Sequence, residues 1–342
     1  MLSRHFLRAK ALQTVYAGVT NQTTNADDIA KAFDSNVLLL DNLGIIQLGT
    51  LSQLAFTAER IMESEMQKFS PQETEVESLR RIAENQFITK LDCGFDFKQQ
   101  QNRVKFDWSN HFDVFRKILN NLKTSKQFND YMRDGQFNFD ADREIALVAF
   151  KYLMNDQTLR DIIYDRELLW EDDFDQIAQY VYMLIKEPAE ADMDEAMLCL
   201  RVYNPQNQNE VDAYSFARQL AIDTFKHIDD VEPMIRKHLQ NWDFERVALM
   251  DILIINMAVC EFTTCPSIPE RVTVDEYIEL SKEFSTEKSK LFINGILDKI
   301  LIELRVAGRV NKDERGMYDP EIDNSAQSAE TDKTESEETV NQ

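Results

Sequence analysis

The stretch Met250–Phe262, MDILIINMAVCEF, decides the fold because it is apolar on every side when it is wound into a helix. Such a helix must be surrounded by other elements, and we predict that it forms the buried centre of a helical bundle. Two amphipathic helices can surround it, because their apolar residues recur three and four positions apart. These residues are Leu12, Val15, Tyr16 and Val19 in the first helix, and Phe292, Ile293, Ile296, Leu297, Ile300, Leu301 and Leu304 in the second.

The composition is typical of a helical protein. Only 8 glycines and 7 prolines occur in 342 residues, which argues against turn-rich β architectures and against glycine-rich phosphate loops. The predicted fold class is therefore all-α. Four cysteines are scattered without a CxxC pair, and the 4 histidines do not cluster with them. We therefore expect reduced thiols, and neither a metal site nor a cofactor.

The charge is acidic overall but unevenly distributed. A net charge of −23 argues against a protein that coats nucleic acid with its whole surface. Residues 1–26 carry +3, residues 27–268 carry −18, residues 269–312 are neutral, and the residues from 313 onward carry −8. The two ends of the folded chain are therefore the places where an anion can approach.

The chain is predicted to have four parts. Residues 1–36 and 206–312 hold the helices of the bundle, and residues 37–205 form a large, mostly helical, acidic insertion that is too hydrophobic to be a linker. We hypothesise that this insertion repels nucleic acid from its own face and offers a surface to a protein. Residues 313–342 are too polar and acidic to bury anything, which predicts a disordered tail.

Some local patterns carry narrower predictions. The stretch Cys93–Trp108 breaks the helical spacing with near alternation, which predicts a short hairpin or an irregular loop. The segment Thr273–Glu276 has the spacing of a capping box at a helix start. Ser285 or Thr286 is predicted to cap the last long helix. Gly295 inside that helix indicates either a close helix crossing or room for a ligand, because glycine there costs about 1 kcal/mol against alanine.

The segments NWDFERVALMDILIINMAVCEF (241–262) and VDEYIELSKEFSTEKSKLFINGILDKI (274–300) resemble the bacterial NusB family of transcription antitermination factors. The start of the chain, RHFLRAKALQTVY (4–16), is similar to the arginine-rich opening and first helix of the same family. The resemblance covers about residues 1–36 and 211–311. It implies an all-helical fold of two three-helix subunits and no enzymatic activity. It also implies binding to the boxA segment of nascent ribosomal RNA, together with NusE, the ribosomal small-subunit protein.

The resemblance also implies which residues contact RNA. Arg4 and Arg8 match arginines of the family's opening motif, and Lys10 follows them, while His5 and Phe6 stand where the family often has arginine. The basic arm is therefore thinner than in the family. Arg4 and Arg8 share one face of a helix, whereas Lys10 points away from that face. The alternative from the residues alone is an ordinary solvated helix terminus.

Four further positions complete the predicted RNA-binding set. Tyr16 and Phe292 match aromatic family positions that can stack on bases, although helical spacing also fits burial of either ring. The positive charge of Lys288 favours contact with a phosphate. The alternative is that Lys288 is simply exposed and binds no ligand. Asp251 matches an acidic family position and can accept from a base amino group, or it is simply a charge at a helix start.

These observations predict an RNA-binding transcription antitermination factor that acts on boxA-like single-stranded RNA with a NusE-like partner in the elongation complex. The alternative is a helical protein-interaction scaffold with the same fold that has lost or weakened RNA binding. No nucleophile, acid pair or metal pattern supports an enzyme. Since no apolar run approaches about 20 residues and no leader pattern is present, we expect a cytoplasmic protein without a membrane partner.

Overall fold

The computed structural model describes residues 3–187, 207–239 and 244–317. Over these residues the chain forms α-helices, a 3-10 helix at Phe244–Arg246 and no strand, so the all-α prediction is confirmed. Contacts divide the chain into two compact units. We call Ser35–Val211 the insertion unit, and we call Ser3–Asp34 together with Asp212–Gln342 the bundle unit.

The insertion unit contains most of helix α2 and all of helices α3 to α10. The predicted limits were 37 and 205, and residues 188–206 lie outside the described part. Helix α8 is central, since it packs against α4, α6, α7, α9 and α10. The helices are α2 (Ala26–Met66), α3 (Glu73–Ala83), α4 (Gln86–Cys93), α5 (Phe95–Val104), α6 (Phe112–Lys123), α7 (Lys126–Asp134), α8 (Phe139–Met154), α9 (Gln157–Tyr164) and α10 (Trp170–Lys186).

The bundle unit joins the first helix to the helices of the C-terminal part. Helices α13, α14 and α15 pack on one another, and α1 lies against α13 and α14. The first residues of α2, up to Asp34, belong to this unit as well. The helices are α1 (Arg4–Thr20), α11 (Gln208–Lys226), α12 (Ile228–His238), α13 (Leu249–Thr264), α14 (Glu270–Phe284) and α15 (Ser289–Val306).

Helix α13 is the buried centre of the bundle unit, as its sequence predicts. Its residues from Leu253 to Phe262 are all buried. Burial of Glu261 in this run is exceptional, because a carboxylate leaves water only when other groups satisfy it. The partners of Glu261 are described with the candidate site below.

The prediction of a hairpin or loop over 93–108 is wrong. Residues Phe95–Val104 form helix α5, with Gly94 in the N-cap position, and irregular structure begins only at Lys105. The run of glutamines is compatible with a helix, and the single turn-forming residue, Gly94, separates α4 from α5. Near alternation over so few residues was therefore not a strand signal.

The two capping predictions are also wrong. Helix α14 begins at Glu270 after Pro269, one turn before the proposed capping box, so Thr273 lies inside the helix and is buried. Lys288 occupies the N-cap position of α15, and its side chain makes no capping hydrogen bond. Ser285 instead donates its hydroxyl hydrogen to Asp251 at 2.5 Å.

Three other features revise expectations from the sequence. A Cβ at Gly295 would meet no atom of the described residues within 4 Å, which favours open space over a helix crossing. Residues 313–317, predicted to be disordered, pack on the turn after α13: the Asp313 N–H donates to the Pro266 carbonyl at 3.2 Å. Residues 318–342 lie outside the described part. Helix α2 contains a window long and apolar enough to cross a membrane, but 67% of that window is buried inside the protein, as in a core helix.

Candidate nucleic-acid interface

Helix α1 presents the predicted basic arm. Ser3 occupies its N-cap, where the hydroxyl accepts the Phe6 N–H at 3.1 Å. This cap sets Arg4 as the first helical residue and leaves its side chain exposed. The Arg4 guanidinium lies 5.6 Å from the centre of the Phe216 ring.

Arg8 does not reach the surface. Its guanidinium binds Glu261 through both carboxylate oxygens, with Nε–Oε2 and Nη2–Oε1 distances of 2.8 Å. Arg8 is 2% exposed and Glu261 is 0% exposed. Paired donors of this kind match a carboxylate in both geometry and charge. As placed here, Arg8 holds α1 on α13, and its burial opposes the predicted direct contact with RNA phosphate.

Glu261 accepts two further hydrogen bonds from α14. The hydroxyls of Thr273 and Tyr277 each donate to it at 3.0 Å. Burial lowers the pKa of Arg8, but the hydrogen bonds and the charge of Glu261 outweigh burial, so that the pKa is raised overall. Burial, together with the charge of Glu261, raises the pKa of Tyr277. The buried cluster therefore stays ionised at Arg8 and neutral at Tyr277.

His5 bridges two carboxylates of α14. Its Nδ1 lies 2.8 Å from Glu276 Oε2, and its Nε2 lies 3.0 Å from Glu283 Oε1. The hydrogen bond that His5 donates to Glu276 raises the pKa of His5 to about 9 against the opposing effect of burial, and Glu283 adds to this increase. His5 is thus protonated near neutral pH, and it carries one positive charge between these two carboxylates.

The start of α1 lies at the end of α14, where the chain turns into α15. Glu283, the partner of His5, stands in the last turn of α14, and Lys288 follows it by five residues. Asp251 fixes this turn, since it accepts from the hydroxyls of Ser285 at 2.5 Å and Ser289 at 2.9 Å. The exposed side chains of Lys288 and Lys290 extend from the same turn.

The structure thus separates the predicted residues into surface and interior. Arg4 and Lys288 are exposed, and His5 is partly exposed next to Arg4. Lys10 is buried, with its Nζ 2.7 Å from Gln13 Oε1 and 5.4 Å from the Phe6 ring. Asp251 is buried as well. For Lys10 and Asp251, burial therefore opposes the direct RNA contacts that the resemblance implied.

The two aromatic candidates differ in position. Tyr16 lies beside the buried stripe of α1 rather than in it, and is 37% exposed. Twelve residues of helix separate it from Arg4, which corresponds to about 18 Å along the axis and a third of a turn around it. Arg4 and Tyr16 therefore lie too far apart to contact the same nucleotide of a bound RNA strand. Phe292 is half-buried near the start of α15.

Sequence reasoning missed the acidic half of this site. Glu261, Glu276 and Glu283 organise His5 and Arg8, yet all three looked like ordinary helix residues. For Glu261 a signal was available, because a lone acid near the end of an otherwise apolar buried helix must have a cationic or hydrogen-bonding partner. No such signal exists for the two exposed-looking glutamates of α14.

Comparison with known proteins matches the C-terminal part of the chain. The model of the NusB family matches residues 175–301, from within α10 to α15, and does not include α1. A transcription antitermination protein NusB from Salinibacter ruber is 34% identical over 144 residues, which is 42% of this chain and 87% of that protein. Proteins of the same name from Finegoldia magna (36% over 99 residues) and Myxococcus xanthus (34% over 98) each cover 29% of this chain and 70% of the relative. No solved structure matches the chain.

Proposed function

This chain belongs to the NusB family, and from that premise we propose that it binds boxA-like single-stranded RNA of nascent ribosomal transcripts with a NusE-like ribosomal protein. In this role it acts within the transcription elongation complex in the cytoplasm. The family consists of RNA-binding antitermination factors without enzymatic activity, in agreement with the prediction that the chain is not an enzyme.

The observation that carries the proposal is the arrangement of charge where α1 begins and α14 leads into α15. We call Arg4, His5, Lys288 and Lys290 the cationic end. Arg4 and the two lysines are exposed there, in a chain whose net charge is −23. A phosphate chain needs such a local concentration of cations, because the acidic remainder of the surface repels it.

Two cations offset most of the negative charge next to the cationic end. Arg8 binds Glu261 and lies 3.4 Å from Glu276, and His5 lies between Glu276 and Glu283, so that two cations face three carboxylates. Arg8 and His5 are therefore positioning residues. Arg4, Lys288 and Lys290 contact phosphates, and Tyr16 and Phe292 contribute stacking to bases that extend along α1 and α15.

The test is a fluorescence anisotropy titration with a labelled boxA-like RNA and a scrambled RNA, with and without the NusE-like protein. Arg4→Glu and Lys288→Glu should each weaken binding severalfold and reduce the slope of log affinity against log salt by about 1. Lys126→Glu is the matched control, because Lys126 is an exposed lysine at the start of α7 in the insertion unit. That control should bind as the wild type does.

Two results would contradict the proposal. Equal affinity for the boxA-like and scrambled RNAs in the presence of the NusE-like protein would favour the scaffold alternative. An equal effect of the three substitutions would mean that only the net charge of the chain matters, and that the cationic end is not the interface.

A further inference from the structure

The insertion unit contains an open cavity of about 470 Å³ between α2, α4, α5 and the segment after α5. This volume falls in the range of small-molecule sites, about 300 to 1,000 Å³. Phe56, Phe106 and Trp108 supply aromatic surface, and Gln53, Gln101 and Asn102 supply amide groups. Flat rings beside amide donors and acceptors suit a planar heteroaromatic ligand.

The aromatic side is held rigidly. The Trp108 ring stands edge-on to Phe115 at a centroid distance of 5.2 Å, and Phe115 is fully buried. Phe106 packs on Trp108 with centroids 4.3 Å apart. Phe56, on the α2 side, remains 48% exposed. A platform of this kind loses little conformational entropy when a base stacks on it, and base–aromatic stacking contributes about 1 to 3 kcal/mol per base.

The polar side offers a carboxylate acceptor. Asp92 lies on the wall, and the Ser52 hydroxyl donates to it at 2.5 Å. Burial raises the pKa of Asp92, although the Ser52 hydrogen bond acts in the opposite direction. A carboxylate that has lost part of its hydration is stabilised by a further hydrogen-bond donor. The exocyclic amino groups of cytosine and adenine are donors of this kind.

One base, Lys105, lines the cavity within an acidic unit. Residues 97–106, FKQQQNRVKF, include three bases between the flanking acids Asp96 and Asp107, in a region where acids greatly outnumber bases. Here the sequence departs from the hypothesis that the insertion repels RNA over its whole face. Lys105 lines the cavity, and Arg103 lies two residues before it, with its Nη2 3.2 Å from Asn42 Oδ1.

Lys105 is also held in a conformation that favours glycine. It ends α5 in the left-handed region, with φ of 50° and ψ of 55°. A side chain there costs about 1 to 2 kcal/mol. Folding alone would therefore favour glycine at this position.

From the cavity, its aromatic platform, its acceptor and its cation, we infer that the insertion unit binds one base of a single-stranded RNA. The base stacks on Trp108 and Phe106, its amino group donates to Asp92, and Lys105 contacts the adjacent phosphate. This inference rests on the proposed function, since RNA is the ligand. It adds a second contact on a different unit from the cationic end.

The experiment measures the fluorescence of Trp108 in the full chain during titration with oligo(A) and oligo(U) of twelve nucleotides. The Trp108→Phe variant identifies the share of the signal that comes from this residue, since the chain has 3 tryptophans. Oligo(A) should quench Trp108 at several-fold lower concentration than oligo(U), because uracil has no amino group for Asp92. Asp92→Asn should remove this preference.

Lys105→Gly separates binding from stability. It should weaken oligo(A) binding about threefold to tenfold through loss of one phosphate contact, while the melting temperature stays equal or rises. Gln22→Gly is the matched control: Gln22 is the other described non-glycine residue with positive φ, at 55°, and lies in the bundle unit. Its melting temperature should respond in the same direction without a change in oligo(A) affinity.

The outcomes distinguish this inference from the proposed function. If Arg4→Glu weakens RNA binding but Trp108 fluorescence does not respond to RNA, the inference is overturned and the proposed function stands. Quenching of Trp108 by the NusE-like protein and not by RNA would likewise overturn it and assign the cavity to a protein. Trp108 quenching that persists in Arg4→Glu and is weakened by Lys105→Gly supports a separate site, even if boxA specificity fails.

Discussion

Replacing Glu261 by glutamine is the most direct test of the buried cluster. The change keeps the size of the side chain but removes the charge that faces the Arg8 guanidinium at 2.8 Å on two oxygens. Removing one partner of a buried ion pair typically costs about 3 to 5 kcal/mol, because the remaining charge stays in the interior. Glu276 lies 3.4 Å from Arg8 Nη1 and retains part of the compensation. We therefore expect a loss near the lower limit, about 3 kcal/mol.

The assay is urea unfolding followed by far-ultraviolet circular dichroism. With a denaturant slope of about 2 kcal/mol per molar urea, the expected loss lowers the midpoint for the bundle unit by about 1.5 M. Glu232→Gln is the control, because Glu232 makes an exposed i,i+4 pair with Arg236 in the same unit. Exposed pairs contribute at most about 1 kcal/mol.

A double-mutant cycle completes the argument. Once Arg8→Met has removed the guanidinium, Glu261→Gln should cost much less than it does alone, since no buried cation is then left without a partner. If Glu261→Gln is no more destabilising than Glu232→Gln, Arg8 is not a buried structural residue. The predicted contact between Arg8 and RNA would then have to be reinstated.

Three further changes have defined outcomes. The pKa of His5 is raised to about 9 from 6.5. The stability that its protonation contributes is therefore complete below pH 6.5 and is lost as the pH rises through about 9. The free energy of unfolding, measured at pH 6 and pH 10, should show this loss in the wild type and not in His5→Phe. Gly295→Ala should stabilise the protein by about 1 kcal/mol in a thermal melt, because a Cβ there meets open space. A destabilised variant would contradict this prediction and would mean that the added methyl group clashes with a neighbour. Asp251→Ala should cost about 1 to 3 kcal/mol in urea, since two seryl hydroxyls lose their acceptor, and a change below 0.5 kcal/mol would show that water replaces the carboxylate without loss.

The sequence predicts the helices better than it predicts their contacts. The all-round apolar pattern of residues 250–262 was sufficient to identify the central helix, because few other environments tolerate it. Local motifs were less reliable. The predicted capping box at Thr273 is wrong because the helix begins earlier, directly after Pro269. The Thr273 hydroxyl instead donates a hydrogen bond to Glu261, twelve residues away.

The candidate site was predicted only in part for a similar reason. Arg4 and Arg8 have the same chemistry and share a helical face, but one is exposed and the other is buried. The difference depends on Glu261, and no local pattern in residues 4–8 contains it. A pairing over 253 positions becomes visible only once the fold has brought α1 to α13.

The same separation has a consequence for biosynthesis. At elongation rates of about 5 to 20 residues per second, a ribosome needs roughly 13 to 50 s to add the 253 positions from Arg8 to Glu261. During that interval the nascent segment of residues 1–26 has three basic residues and no acid, and Glu261, the carboxylate partner of the Arg8 guanidinium, has not yet been translated. The newborn chain therefore passes through a period in which this segment is more cationic than in the finished protein, and chaperones or polyanions near the exit tunnel encounter it in that state.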